Sequence, residues 1–178
     1  MENKTKIFVG MLVMTKLKLS ENLEEETVAL LQRRGKINTD NDYGFKWQSF
    51  NGLCEITSYG KAEQNETPEE ALKRETIEEL GEKASKTIFE SKPIKIYEKI
   101  ERDDDNVFVW ATLCNKNILK EIKLDISTGG IEIIRKDDLE KINFANFEQK
   151  GLEVKNLDEI KLFEVPIAVL ERAFEIFK

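Results

Sequence analysis

The chain has 178 residues, 28 Lys and Arg against 35 Asp and Glu, and no histidine, for a net charge of −7. Without histidine, Ser/His and Cys/His nucleophile pairs, His-ligated zinc and an imidazole proton shuttle are excluded, so the chemistry falls to carboxylates, lysines, hydroxyls or a bound cation. The length fits one domain spanning 1–178, and the acid excess argues against general nucleic-acid binding, where a basic footprint is expected.

In chain order, the run from Lys6 to Leu19 and the segment TVALLQRR that follows a polar turn read as two neighbouring strands. Ile7 to Met14 is too short to span a bilayer and lacks the flanks of a signal peptide, so no membrane partner is expected and the protein is read as cytoplasmic. Two cysteines inside apolar runs, Cys54 and Cys114, suit buried thiols in a reducing compartment. Residues 35–46 read as a loop, Trp47 to Phe50 re-enters the fold, and GLCEITSYG (52–60) is a strand delivering the chain to a second loop. Gly60 is expected to let the backbone turn sharply there.

A helix is then predicted over Pro68–Leu80. Thr67 is its N-cap, Pro68 its first residue, Glu70 the N3 partner of a capping box, and Gly81 its C′ stop. Beyond it KTIFE, PIKIYEKI, NVFVWATLC and GIEIIR are strand-like, Asp103 to Asp105 mark a turn, and Asp137 to Ile142 suggest a short helix. From about 156 to 177, LDEIKLF and PIAVLERAFEIFK have helical spacing, with Ile167, Leu170, Phe174 and Phe177 on one packing stripe.

The helix at 68–80 carries the chemistry. Advancing by about 100° per residue from Leu72 puts Glu79, Glu75 and Glu78 at roughly 340°, 300° and 240°, on one face, while Leu72, Leu80 and Ile77 occupy the other. Like charges at i, i+3 and i+4 repel. A hard divalent cation reverses that sign, because carboxylate oxygens are preferred ligands of Mg²⁺ or its substitute Mn²⁺, with substrate phosphate completing the shell. Arg74, beside Glu75, has the fork geometry to fix a carboxylate.

This segment resembles the signature of the Nudix hydrolase family, G-x5-E-x7-R-E-U-x-E-E-x-G-U with U apolar. All seven fixed positions match, as Gly60, Glu66, Arg74, Glu75, Glu78, Glu79 and Gly81. Two U positions are filled by Thr76 and Glu82, and Tyr59 and Asn65 stand where the family's loop often has glycine. The resemblance implies an α/β/α sandwich around a mixed sheet, with the motif as loop–helix–loop. It also implies Mg²⁺-dependent hydrolysis of a nucleoside diphosphate linked to another moiety X, a small-molecule nucleotide substrate. Glu75, Glu78 and Glu79 would hold metal with Glu66 and Arg74 orienting or supplementing them, and Gly60 and Lys61 would meet the pyrophosphate. Glu79, or a loop acid among Asp103 to Asp105, is the candidate base.

Two alternatives share the fold. One is a nucleotide-binding regulatory module without turnover. The other is isopentenyl-diphosphate isomerase, to whose branch LLQRRG and GLCEITSYGK are similar, but that chemistry needs histidine ligands the chain lacks. Arg33 and Arg34 are candidate phosphate contacts, with a surface or ion-pair role favoured. Tyr43, Phe45 and Trp47 are expected to pack rather than stack on a base, and Trp110 to lie in the core.

Overall fold

The computed structural model describes residues 5–21, 23–34, 53–100, 105–124, 128–144, 160–162 and 165–178. Strand β1 (Ile7–Leu17) is the axis of the sheet. Both of its faces are buried, which is why the sequence reads there as a nearly unbroken apolar run. Val9, Met11 and Val13 face one cluster and Leu12 and Met14 the other. Along one edge β1 runs parallel to β6 (Asn106–Cys114), which pairs antiparallel with β5 (Ile94–Lys99).

The other edge of β1 is shared. Its C-terminal half pairs with β2 (Glu26–Arg34) from Val13↔Leu30 to Leu17↔Glu26, and its N-terminal half with β4 (Ser58–Lys61) from Phe8↔Lys61 to Met11↔Ser58. β3 (Leu53–Ile56) lies antiparallel to the far end of β2. The chain passes from β3 to β4 through Thr57, where β1 and β2 diverge. There the Thr57 hydroxyl accepts the Val13 N–H at 2.7 Å and donates to the Leu30 carbonyl at 2.5 Å, fully buried. Thr57→Val removes both bonds and strands a buried donor and acceptor. It is expected to lower stability by about 2–4 kcal/mol, read as a lower urea midpoint at unchanged slope, while Thr57→Ser keeps most of it.

Helix α1 (Pro68–Leu80) has the bounds read from the sequence, and its capping box is formed: the Glu70 N–H donates to Thr67 Oγ1 at 3.2 Å and the Thr67 N–H to Glu70 Oε2 at 2.9 Å. Thr76, at an apolar position of the motif, is buried and donates to the Leu72 carbonyl. Gly81, at φ +86°, donates to the Ile77 carbonyl and accepts from the Ser85 N–H, so one residue ends α1 and opens α2 (Glu82–Glu90). Its left-handed φ favours glycine. Glu82, polar where the motif is apolar, sits in the first turn of α2, where a negative charge suits the helix dipole.

Two sequence expectations are corrected. KTIFE is the end of α2 rather than a strand, because Ala84, Ser85 and Ile88 bury one helical face against the sheet. LDEIKLF is not helical where it is described: Ile160–Leu162 is a strand, β9, that fills the free edge of β3 in parallel and pairs with β8 (Ile142–Phe144). β7 (Thr128–Arg135) covers the outer side of β2, the expected short helix is a 3-10 turn over Lys136–Lys141, and α3 (Ile118–Glu121) follows β6.

The sheet is mixed and has helices on both faces. α1, α2 and α3 pack on one through Leu72, Leu80, Ala84, Ile88 and Ile118; α4 (Ala168–Ile176) packs on the other through Val169, Leu170, Ala173 and Phe174. The α/β/α arrangement expected from the sequence is thus present, with Trp110 buried as expected. Among the described residues no helix is long and apolar enough to cross a membrane.

Candidate active site

The site forms where β4 passes beneath α1. Gly60 lies inside β4, opposite Val9, and its φ is not in the left-handed region, so it makes no sharp turn; that expectation is corrected. Its missing side chain serves space instead. A Cβ at Gly60 would overlap the carboxyl group of Glu75, which is seated directly over the strand backbone. One residue earlier the Tyr59 N–H donates to Glu79 Oε2 at 3.0 Å. The Tyr59 ring turns to the opposite sheet face and stacks on Phe8 at 5.9 Å, in space left by Gly10. Tyrosine is thereby accommodated where the family's loop often has glycine, and only its backbone serves the site.

Arg74 ties the carboxylates together. Its Nε and Nη2 donate to the two oxygens of Glu66 at 2.9 Å each, Nη2 also to the Lys61 carbonyl at 2.9 Å, and Nη1 to Glu75 Oε1 at 2.7 Å and Glu78 Oε2 at 3.2 Å. All five guanidinium N–H groups are used. The bidentate bond from Arg74 holds the Glu66 carboxyl down to about 2, helped by the backbone N–H of Glu63. Glu75 moves the other way, because burial outweighs the hydrogen bond from Arg74. Glu78 is the outermost, its side chain 57% exposed.

Glu79 has the most perturbed carboxyl of the three. Burial, then the charge of Glu55, raises it to about 7 against the opposing Tyr59 N–H. Glu55 is a functional neighbour that sequence reasoning missed. It is 3% exposed on β3, opposite Gln32, and alternation places it on the α1 face because Cys54 and Ile56 face α4. The strand pattern could have signalled it as an acid flanked by two apolar residues. Glu79 is protonated in the folded state at pH values where the unfolded chain is already ionised. Its contribution to stability is therefore fully present below about pH 4.5 and lost as pH rises through about 7. Relative to Glu79→Gln, the wild type without metal is expected to lose up to about 3 kcal/mol across that window, measured by urea unfolding at pH 5 and pH 8 with chelator present.

Among the described residues no three carboxylate or thiol side chains converge in a geometry that would hold a metal ion. The reason is visible in the contacts: the Arg74 guanidinium occupies the ground between them. The donor set nonetheless fits a hard divalent cation. Glu75 and Glu78 already share one cationic nitrogen, the oxygen lining is free of sulfur and nitrogen ligands, and Gly60 leaves room for the Glu75 carboxyl.

Other expected residues fall elsewhere. Arg33 pairs with Glu132 on the α4 face, away from α1, so the favoured ion-pair role is the one observed and Arg33 does not join the motif. Arg34 ends β2, and its side chain lies outside the described residues, as do Tyr43, Phe45, Trp47, Asp103 and Asp104. Asp105 accepts the Lys6 N–H at 3.3 Å, a strand-end contact. Cys54 and Cys114 are free and buried; burial pushes the Cys54 thiol up to about 12, and Cys54 faces α4, away from the carboxylates.

A family model for the NUDIX domain matches residues 20–154. No curated protein matches the sequence. Among solved structures, a mutT/nudix family protein from Listeria innocua aligns with a TM-score of 0.53 at 17% identity, covering 76% of this chain and 82% of that one. A NUDIX family hydrolase from Clostridium perfringens aligns over 98% and 99% of the two chains at 17% identity and a TM-score of 0.47. The Ap4A hydrolase of C. elegans covers 75% of this chain and 83% of its own at 15% identity and a TM-score of 0.44. At 17% identity the likeness to the Listeria protein is one of fold.

Proposed function

The chain belongs to the Nudix family of pyrophosphohydrolases, and from that premise we propose that it hydrolyses, with Mg²⁺ or Mn²⁺, the pyrophosphate bond of a nucleoside diphosphate linked to a moiety X. The observation that carries this reading is the gathering of Glu66, Glu75 and Glu78 around Arg74, with the Glu75 carboxyl directly over the bare backbone of Gly60. Two free, buried thiols support a reducing, cytoplasmic setting.

In this reading Glu75, Glu78 and Glu79 hold the cation. When bound it neutralises charge on the diphosphate and acidifies a water. The rest is done by the chain. Arg74, anchored at its far end by Glu66 and the Lys61 carbonyl, keeps the Glu75 and Glu78 carboxylates from splaying apart. The Tyr59 N–H fixes the orientation of Glu79, which is the candidate base when its carboxylate is free of the cation. The Gly60 backbone and the Lys61 side chain meet the phosphates, and water attacks one phosphorus in line with the leaving group.

The test is a substrate panel of nucleotide sugars, dinucleotides, nucleoside triphosphates and ADP-ribose, assayed with Mg²⁺, with Mn²⁺ and with chelator. Metal-dependent release of a nucleoside phosphate from at least one compound is expected. Silence across the panel from folded protein would refute the reading.

A further inference from the structure

Next to the motif, residues 5–7 and 61–66 enclose a cleft of about 550 Å³. It shares Lys61 and Glu66 with the site above, and its far wall is the start of β1, which the motif does not include. The wall is rigidly placed: the Ala62 N–H donates to the Ile7 carbonyl and the Asn106 N–H to the Lys6 carbonyl, both at 2.8 Å. Phe8 is registered against Lys61, so Lys6, just before β1, and Lys61, at the end of β4, line the cleft from neighbouring segments.

The described lining carries two cations, Lys6 and Lys61, and two acids, Glu63 and Glu66. Among the described residues neither Lys6 nor Lys61 forms an ion pair. Glu66 is turned to Arg74, whose Nε and Nη2 hold its two oxygens, which leaves Glu63 as the one acid of the described lining without a cationic partner. The remaining described lining is Thr5, Gln64 and Asn65 with the apolar Ile7 and Ala62, and none of these carries an aromatic ring. A nucleobase stacks best on an aromatic ring, and none is found among the described lining residues. Two ammonium groups without an ion pair among the described residues, beside hydroxyl and amide groups, suit a compact, oxygen-rich anion.

We propose that Lys6 extends the phosphate contact of Lys61 into an anion subsite at the edge of the motif that receives a charged X group, a terminal phosphate or phosphate chain, and so sets a preference for phosphorylated over uncharged X. The proposal rests on the pyrophosphohydrolase reading for its place in turnover, but not for binding. Lys6 is the specificity-determining residue here: it lies outside the motif and touches none of the motif's carboxylates, its backbone N–H meeting Asp105 instead.

Binding is tested with inorganic tripolyphosphate by titration calorimetry, with wild type, Lys6→Gln, Lys6→Arg and, as a control for net charge, Lys16→Gln on the exposed end of β1. Lys6→Gln is expected to weaken binding about tenfold, the loss of one charge-assisted hydrogen bond, with Lys6→Arg restoring most of it and Lys16→Gln leaving it unchanged. In turnover, Lys6→Gln is expected to raise KM for a nucleoside triphosphate about tenfold at constant kcat and to leave KM for a nucleoside diphosphate hexose as it was. Binding that Lys6→Gln does not change, that Lys16→Gln weakens equally, or that the wild type lacks, overturns the subsite. Lys6-dependent binding without hydrolysis of any substrate overturns the pyrophosphohydrolase reading and leaves the subsite standing.

Discussion

Gly60→Ala is expected to destabilise the protein by about 1–3 kcal/mol and to remove most of its turnover. The added Cβ falls on the carboxyl group of Glu75, and neither partner can yield freely. The β4 backbone is held by its ladder to β1, and the α1 backbone by the burial of Ala71, Leu72 and Thr76. The carboxyl is the softer of the two, so it must swing away, breaking its 2.7 Å bond to Arg74 Nη1 and leaving the metal face with two carboxylates. The effect on activity is therefore expected to exceed the effect on folding. Thermal denaturation and kcat measured on one preparation separate the two. Full turnover with a lowered melting temperature would show that Glu75 does not act from this position.

The role of Gly60 was the part of the site least legible in the sequence, and the reason is physical. A glycine before a loop signals conformational freedom, whereas here the requirement comes from a helix fifteen residues on that crosses above the strand. The same limit hid Glu55 and left Arg33 open between a phosphate contact and an ion pair. Which face a strand residue takes depends on register, and a shift of one residue exchanges the faces. Arg33 points to α4 with Leu31 and Cys54, and Glu55 points to α1. Local signals fared better. Thr67, Pro68 and Glu70 specify the start of α1 through bonds made within four residues, and the wheel that groups Glu75, Glu78 and Glu79 depends only on helical pitch. β9 and the end of α2 are set by tertiary demand: a free edge on β3 and a sheet face needing cover, neither of which appears in the local pattern.

Glu78→Gln is expected to lower kcat at least about a hundredfold under saturating Mg²⁺ while shifting the melting temperature by no more than about 2 °C. The two effects part because of where the residue stands. Glu78 is 57% exposed, and its bond to Arg74 Nη1, at 3.2 Å, is the longest of the five that guanidinium makes. Exposed ion pairs of this kind contribute little to folding. Arg74 keeps its bidentate hold on Glu66 and its bond to Glu75 without it. A glutamine preserves shape and one oxygen but loses the negative charge that balances a divalent cation, so the loss falls on metal binding, visible as a weaker Mn²⁺ affinity by titration as well as a slower rate. Glu69→Gln removes the same charge from the first turn of the same helix, away from the carboxylate face, and is expected to leave kcat unchanged. Equal losses in the two variants would mean that α1 acts through its total charge. Unchanged turnover in Glu78→Gln would remove that residue from the metal face and require the cation to be held from Glu75 and Glu79 alone.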